Sequence, residues 1–166
     1  MILAMMIGAP MVFSRKQTAQ KMIDLLDLKR GNKVYDLGSG DARLLVMAAK
    51  KGAYACGVEI NPYAVILSLL RMQLSGYSKQ IQVRWGSYWG KNLVDADAVI
   101  IYGVPWIMAR LAKKLIVELK PGTKIVSNSF QIPQLKLIKQ ETVGKDKVYL
   151  YKVQNSKIKD QKVIKK

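Results

Sequence analysis

The segment VYDLGSGDAR, residues 34–43, decides the fold because it joins a short strand to a glycine-rich loop and a helix. The strand, KVYDL at residues 33–37, ends at Gly38 and Gly40. A glycine-rich loop at such a junction lets a ligand approach the backbone at the positive end of the helix dipole. Taken alone the loop is a modest signal, because a tight structural turn also needs glycine.

Strand and helix signals alternate on both sides of this segment. A helix near residues 15–28 precedes it, and Ser14 with Gln17 forms the S-x-x-Q pattern of a capping box. Helices are also predicted near residues 41–51, 62–75 and 105–119, and strands at AYACGVEI (53–60), IQVRW (81–85), DAVIIY (97–102) and TKIVSNSF (123–130). Such alternation predicts an α/β fold with a parallel sheet.

The last two predicted strands form a hairpin. They are KLIKQETV (136–143) and KVYLYKV (147–153), on either side of Gly144-Lys145-Asp146. Two strands joined by so short a loop pair antiparallel, and this hairpin closes the sheet.

Length and composition predict one domain. Of the 166 residues half are apolar, enough for a single core, with an apolar arm at residues 1–12, the domain at 13–154 and a basic tail at 155–166. The arm lacks the positive region of a signal peptide and is about half the length of a membrane span. It is expected to be either a weak interfacial membrane anchor or a packed arm.

The charge and the rare residue types restrict the function. A formal net charge of +17 favours an acidic partner, namely nucleic acid, an anionic membrane surface or an acidic protein, unless it reflects a lysine-rich proteome. The absence of histidine excludes Ser-His, Cys-His and His-ligated metal mechanisms, and no metal site is predicted. The single cysteine, Cys56, cannot form an internal disulfide, which favours a cytoplasmic location, with the inner face of a membrane as the alternative.

Two carboxylates indicate which ligand the loop accepts. Asp41 lies where a pyrophosphate would meet helix amides, so it repels phosphate and favours an ammonium group. S-adenosylmethionine carries an ammonium group and no phosphate, whereas NAD and FAD each carry two phosphates. Glu59 ends the second strand 23 positions after Asp36, close to the spacing of an acidic residue that accepts hydrogen bonds from both ribose hydroxyls.

With these residues the sequence resembles the class I, seven-strand S-adenosylmethionine-dependent methyltransferases, and among them the small protein-lysine methyltransferases of prokaryotes and mitochondria. The resemblance is carried by GAPMVFS (8–14), VYDLGSGDAR (34–43), GVEINP (57–62), WGSYW (85–89), ELKPGTKIVSNSF (118–130) and KVYLYKV (147–153). It implies a Rossmann-like, seven-stranded, mostly parallel sheet with helices on both faces and a C-terminal antiparallel hairpin.

The resemblance also implies the residues that bind S-adenosyl-L-methionine. The methionine end would lie on Asp36, Gly38, Ser39, Gly40 and Asp41, the ribose between Glu59 and Asn61, and the remaining contacts would come from Phe13, Ser14, Ser87, Tyr88 and Tyr102. Phe13 and Ser14 would fold over the cofactor. The sequence departs from the family pattern at Phe13-Ser14, at Ala42, where relatives have glycine, and at Ser87, where they have an acidic residue.

The methyl acceptor is expected beyond the carboxyl end of the fourth strand, where open α/β sheets place ligands. Its candidate residues are Tyr102, Val104, Pro105 and Trp106, followed by Asn128 and Phe130 after the fifth strand. Methyl transfer is an in-line displacement that needs alignment and a neutral nucleophile, so no histidine is required. Trp85, Trp89 and Trp106 are equally compatible with core packing or a membrane-facing belt.

Two other functions fit the same fold. RNA methylation suits the positive charge, but enzymes that methylate base amino groups typically have Asp or Asn, two prolines and an aromatic residue where this chain has YGVP, residues 102–105. A catalytically silent S-adenosylmethionine-binding module is the second alternative, which the changes at Ala42 and Ser87 allow.

Overall fold

Four helices and seven strands make up residues 14–154, the part of the chain that the computed structural model describes. The strands are β1 (Lys33–Leu37), β2 (Tyr54–Glu59), β3 (Ile81–Trp85), β4 (Ala98–Ile101), β5 (Lys124–Asn128), β6 (Leu137–Val143) and β7 (Asp146–Lys152). The helices are α1 (Lys16–Leu26), α2 (Arg43–Lys50), α3 (Pro62–Leu74) and α4 (Pro105–Glu118). Short 3-10 turns lie at Ser78–Gln80 and Tyr88–Gly90.

The strands form one sheet in the order β3-β2-β1-β4-β5-β7-β6. β1 to β5 are parallel, while β7 pairs antiparallel with both β5 and β6. The mostly parallel sheet and its terminal hairpin are therefore confirmed. The direction of strand order reverses between β1 and β4, and ligands bind at such a switch point, outside the carboxyl ends of the strands.

Helices cover the two faces of the sheet unequally. On one face, buried side chains of α1 and α2 form a core with the sheet, and α3 packs beside them. On the other face α4 is the main cover, supplying Met108, Leu111, Ala112 and Leu115, and the irregular segments 86–97 and 129–136 complete it. Helices on both faces were expected, and the irregular segments leave room above the carboxyl ends of β4 and β5.

The first helix does not begin as the sequence predicts. The residue before α1 is Arg15, and no side chain caps the helix, so the Ser14-Gln17 capping box is wrong. The Ser14 hydroxyl instead accepts a hydrogen bond from the Asn128 side chain, 3.2 Å away at the end of β5. A contact between residues so distant in sequence outcompetes the local cap.

The arm at residues 1–12, Phe13 and the tail at residues 155–166 lie outside the described residues. Between residues 14 and 154, no helix combines the length and apolarity that crossing a membrane requires.

Candidate active site

The loop after β1 folds back over the end of β2. Gly38 and Gly40 both have positive φ, 92° and 55°, which glycine adopts without steric cost. The backbone N–H groups of Gly38 and Ser39 donate to the carbonyl of Val58, at 2.9 and 3.2 Å. The loop is therefore held tightly at the switch point, with its backbone exposed to the crevice.

Two buried polar atoms in this loop lack a partner among residues 14–154. They are Oδ2 of Asp36 and Oγ of Ser39, whose residues are 3% and 5% exposed. Burial, reinforced by the charges of Glu59 and Asp41, raises the pKa of Asp36 to about 8. Because buried polar groups in proteins are normally hydrogen-bonded, the two atoms fit a ligand that brings donors. An ammonium group suits Asp36 best, since it stabilises the ionised carboxylate.

Glu59 links the ends of β1 and β2. Its Oε2 atom accepts the Gly40 N–H and its Oε1 atom accepts the Asn61 N–H, both at 2.8 Å. A carboxylate has about four acceptor positions, so both oxygens keep capacity for ligand hydroxyls. The Asn61 side chain meanwhile caps α3 by accepting the N–H of Tyr63 at 3.0 Å. Glu59 thus presents a fixed carboxylate where the sequence predicts the ribose.

Asp41 is placed differently from the expectation that it contacts an ammonium group. Its buried carboxylate forms ion pairs with Arg43, at 2.8 Å, and with Arg71 of α3. Burial acts to raise its pKa, but hydrogen bonds from the two guanidinium groups hold it below its usual value. The charge of Asp41 is therefore neutralised within the protein, which leaves Asp36 as the better partner for an ammonium group.

Ser14 spans the crevice. Its carbonyl accepts a hydrogen bond from Arg43 at 2.8 Å, and its hydroxyl contacts Asn128 across the sheet. Asn128 is 1% exposed, and its Oδ1 atom accepts the hydroxyl of Ser129 at 3.0 Å. The structure thus brings the predicted residues Ser14 and Asn128 together, and it gives Asn128 the role of holding the N-terminal segment.

The loop after β3 closes the Glu59 side of the crevice. Gly86 donates its N–H to the carbonyl of Glu59 at 2.8 Å. Ser87 is exposed and accepts the N–H of Trp89, which starts a 3-10 turn. Burial raises the pKa of the Tyr88 hydroxyl to about 12, with Arg110 opposing this shift and Glu59 reinforcing it. Tyr88 therefore lies within electrostatic reach of Glu59, as a cofactor contact would require.

The loop after β4 lies on the opposite side of the switch point. Ile101 is in register with Leu37, so Tyr102 follows β4 where Gly38 follows β1. Gly103 permits close packing of α4, because a Cβ atom there would stand 2.7 Å from the sulfur of Met108. Val104 precedes α4 and is buried.

Pro105 and Trp106 begin α4, and Phe130 follows β5. The Trp106 ring is 68% exposed, which leaves it available to a partner. Phe130 is half-buried against the core under α4. The predicted acceptor residues therefore line the same end of β4 and β5.

Several residues at the site were not predicted from the sequence. Arg71 and Ser68 of α3 support the loop, with the Ser68 hydroxyl donating to the carbonyl of Gly40 at 2.6 Å. A serine and an arginine within the apolar run of α3 are the signal that could have identified them. Ala42 has a φ of 62°, so the position where relatives have glycine needs left-handed backbone. No group of three potential metal ligands occurs between residues 14 and 154, where such clusters could be sought.

Comparison with known proteins identifies the family. Residues 36–139 match the ANTKMT methyltransferase domain. The chain is 32% identical over 142 residues to the adenine nucleotide translocase lysine N-methyltransferase of Mus musculus, covering 84% of this chain but only 62% of that protein. It is 30% identical over 125 residues to a protein-lysine N-methyltransferase of Saccharolobus islandicus, covering 74% of this chain and 78% of that one.

A second Mus musculus relative is a lysine N-methyltransferase named for ATP synthase. It is 32% identical over 142 residues, which cover 86% of this chain and 57% of that protein. The chain thus spans little more than half the length of this curated relative.

A solved structure agrees with the sequence relatives. The RNA methyltransferase of Salinibacter ruber, in complex with S-adenosyl-L-homocysteine, is similar at a TM-score of 0.84 and 28% identity, over 87% of this chain and 95% of that chain. Its bound product is the demethylated form of the cofactor expected from the sequence. The resemblance inferred from the loop and strand motifs is confirmed. The chain therefore belongs to the ANTKMT methyltransferase domain family, within the class I S-adenosylmethionine-dependent methyltransferases.

Proposed function

We propose that the protein transfers the methyl group of S-adenosylmethionine to the side-chain amine of lysine in a protein substrate. The observation that carries the proposal is the unpartnered, buried Asp36 carboxylate beside Glu59 at the switch point. The lysine acceptor is supported by the Saccharolobus islandicus relative, a protein-lysine N-methyltransferase of which the chain covers 78%. The chain covers less than two thirds of each mouse relative, so their own substrates are not carried over.

The residues of the crevice fit the cofactor in both chemistry and order. Asp36 and Ser39 offer buried acceptors to the ammonium group, and the positive-φ loop allows the methionine end to approach its backbone. Glu59 accepts the ribose hydroxyls, while Tyr88 lies beyond it. Ser14 and the neighbouring Phe13 would then lie over the methionine end. This order runs from the β4 side of the sheet to the β3 side.

The chemistry requires little from acid–base groups. When bound, S-adenosylmethionine supplies an electrophilic methyl carbon, and the lysine nitrogen forms a bond to that carbon as the carbon–sulfur bond breaks. The chain's task is to align the amine and to keep it neutral, which an apolar crevice favours by desolvation. With no histidine in the chain, we assign the proton released by the amine to solvent.

Tyr102 is the residue best placed to receive the amine. It follows β4 in register with the glycine loop, so its side chain starts beside the methionine end of the cofactor. A tyrosine ring face attracts an ammonium group by about 0.5–2 kcal/mol, and the hydroxyl can accept a hydrogen bond from it. Pro105 and the exposed Trp106 would form the rim that contacts the protein around the target lysine.

The test is methyl transfer from radiolabelled S-adenosylmethionine to a panel of purified proteins and to total RNA in parallel reactions. Label in protein, found by mass spectrometry as Nε-methyl-lysine, and absent from reactions with Asp36→Ala, supports the proposal. Label in RNA alone overturns the lysine acceptor. Cofactor binding with no transfer to any acceptor overturns the enzymatic activity and leaves a silent binding module.

RNA is the second candidate acceptor, and a specific observation favours it. The Salinibacter ruber structure, at a TM-score of 0.84, belongs to an RNA methyltransferase, and a net charge of +17 suits a phosphate backbone. The loop YGVP after β4 lacks the Asp or Asn and the paired prolines typical of base amino-group methylation. We therefore place RNA second to protein.

A further inference from the structure

An apolar stripe runs along the outer side of α3. It consists of Tyr63, Ile66, Leu67, Leu70 and Leu74, whose spacing of three and four residues aligns them on one side of the helix. All five are exposed, from 48% for Leu67 to 88% for Leu74. The inner side of α3 holds the buried Ala64 and Ser68. Contiguous exposed apolar surface of this kind marks an interaction site.

Trp85 extends the α3 stripe towards the active site. It ends the edge strand β3, against which α3 packs, and its ring is 71% exposed. The indole N–H donates to the carbonyl of Ile60 at 3.1 Å, so its polar atom is already satisfied. Tyr63 begins α3 at this same edge of the sheet. Two aromatic rings therefore lie at the crevice end of the stripe, and aliphatic side chains occupy the other end.

The charge around the stripe has one sign. Residues 60–94 contain four cationic side chains and no Asp or Glu. Two of them, Lys79 and Arg84, are exposed beside α3 and on the edge strand. An aliphatic row, exposed aromatic rings and exposed cations together match the interface of an anionic lipid bilayer. A second copy of the chain fits less well, because each copy carries a net charge of +17 and would bring the same cations together.

We propose that the α3 stripe docks the protein onto the surface of an anionic phospholipid membrane. The leucines enter the acyl boundary, Tyr63 and Trp85 lie at the headgroup level, and Lys79 and Arg84 contact lipid phosphates. Because Tyr63 follows the ribose-binding Glu59 by four residues, docking places the rim of the crevice at the lipid surface. The binding surface consists of described residues and is independent of the arm at residues 1–12.

The experiment is vesicle partitioning of the full chain, with phosphatidylcholine alone compared with phosphatidylcholine containing about 30% phosphatidylglycerol. The wild-type chain is expected to bind the anionic vesicles, and added salt is expected to weaken the binding. The triple variant Leu67→Gln, Leu70→Gln, Leu74→Gln should bind at least about tenfold more weakly. The matched control is Ile116→Gln, Val117→Gln on α4, whose residues are 40% and 82% exposed and which should bind like wild type.

Binding of S-adenosylmethionine shows that each variant is folded. Should the triple variant fail to fold, Leu74→Gln alone, at the exposed end of α3, carries the test with a roughly threefold expected loss. The proposal is overturned if the wild-type chain ignores anionic vesicles, or if the folded stripe variant binds them as well as wild type does. It is also overturned if light scattering shows a wild-type dimer that the same substitutions dissociate.

Discussion

Gly57 of β2 lies beside Ser39 of the glycine loop so closely that a Cβ atom on Gly57 would stand 2.5 Å from the Ser39 Oγ atom. The same Cβ atom would stand 2.6 Å from a methyl carbon of the buried Leu45. Gly57 is also the register partner of Asp36. The absence of a side chain at this position therefore lets the loop rest on β2 and sets the position of Ser39.

Gly57→Ala is expected to destabilise the fold by about 1–3 kcal/mol, because the new methyl group overpacks the loop. It should also weaken cofactor binding, since Ser39 must move. Urea unfolding and titration calorimetry measure the two effects. The control is Gly90→Ala, where nothing lies within 4 Å of the added Cβ atom and a change within about 0.5 kcal/mol is expected. Equal stability of the two variants contradicts this close packing.

Cofactor binding should release a proton near neutral pH. The pKa of Asp36 is about 8 in the ligand-free protein, so the carboxyl is largely protonated at pH 7. An ammonium group beside it lowers that pKa and displaces the proton. Calorimetry in two buffers of different ionisation enthalpy measures the release. Asp36→Asn should show none from this site, and identical proton release in the variant would contradict the assignment.

The same shift predicts how stability depends on pH. Asp36 ionises near 3.8 in the unfolded chain and near 8 in the fold, so the unfolded state binds fewer protons between these values. Its contribution to stability is present below the unfolded pKa and is lost as pH rises through about 8. Asp36→Asn should therefore gain stability relative to wild type as pH rises over this range. A constant difference in urea midpoint would contradict the buried, protonated carboxyl.

Arg43→Gln is expected to weaken both the fold and the closure over the cofactor. The substitution removes one of two cations from the buried Asp41 and the donor to the Ser14 carbonyl. Because Arg71 remains on Asp41, the expected loss of stability is about 1–3 kcal/mol rather than that of a wholly unpaired buried charge. Cofactor affinity should fall more in Arg43→Gln than in Arg71→Gln, which leaves Ser14 held. The reverse order would show that Ser14 does not close the site.

Substitution of Tyr102 separates ring from hydroxyl at the acceptor position. Tyr102→Ala is expected to lower kcat about tenfold or more while cofactor affinity changes little, because it removes the aromatic face that aligns the amine. Tyr102→Phe keeps that face and should retain most of kcat. Steady-state kinetics with a methylated protein substrate provide the comparison. A Phe variant as slow as the Ala variant would transfer the role to the hydroxyl.

Much of the fold could be predicted because glycine and proline mark its boundaries. KVYDL and IQVRW match β1 and β3 to the residue, and Pro62 and Pro105 begin α3 and α4 as predicted. The order of alternating elements and the short hairpin loop then determine a mostly parallel sheet with an antiparallel end. The position of Asp36 and Glu59 at the strand ends followed from the same pattern.

What could not be predicted depends on contacts between distant residues. Ser14 has the local pattern of a cap, but its hydroxyl contacts Asn128 instead. Asp41 appeared available to a ligand, but Arg71, thirty residues further on, neutralises it. The exposed side of α3 was equally hidden, because an apolar helix has the same sequence whether it is buried or faces outward.

The most direct test is titration calorimetry of S-adenosylmethionine against the wild-type chain, Asp36→Ala and Glu59→Ala, with NAD and ATP as control ligands. We predict that wild type binds S-adenosylmethionine and neither control, and that each variant stays folded but binds at least about tenfold more weakly, since each loses a charged hydrogen-bond acceptor. Unchanged binding in both variants, or binding of NAD in place of S-adenosylmethionine, would contradict the assignment of this site.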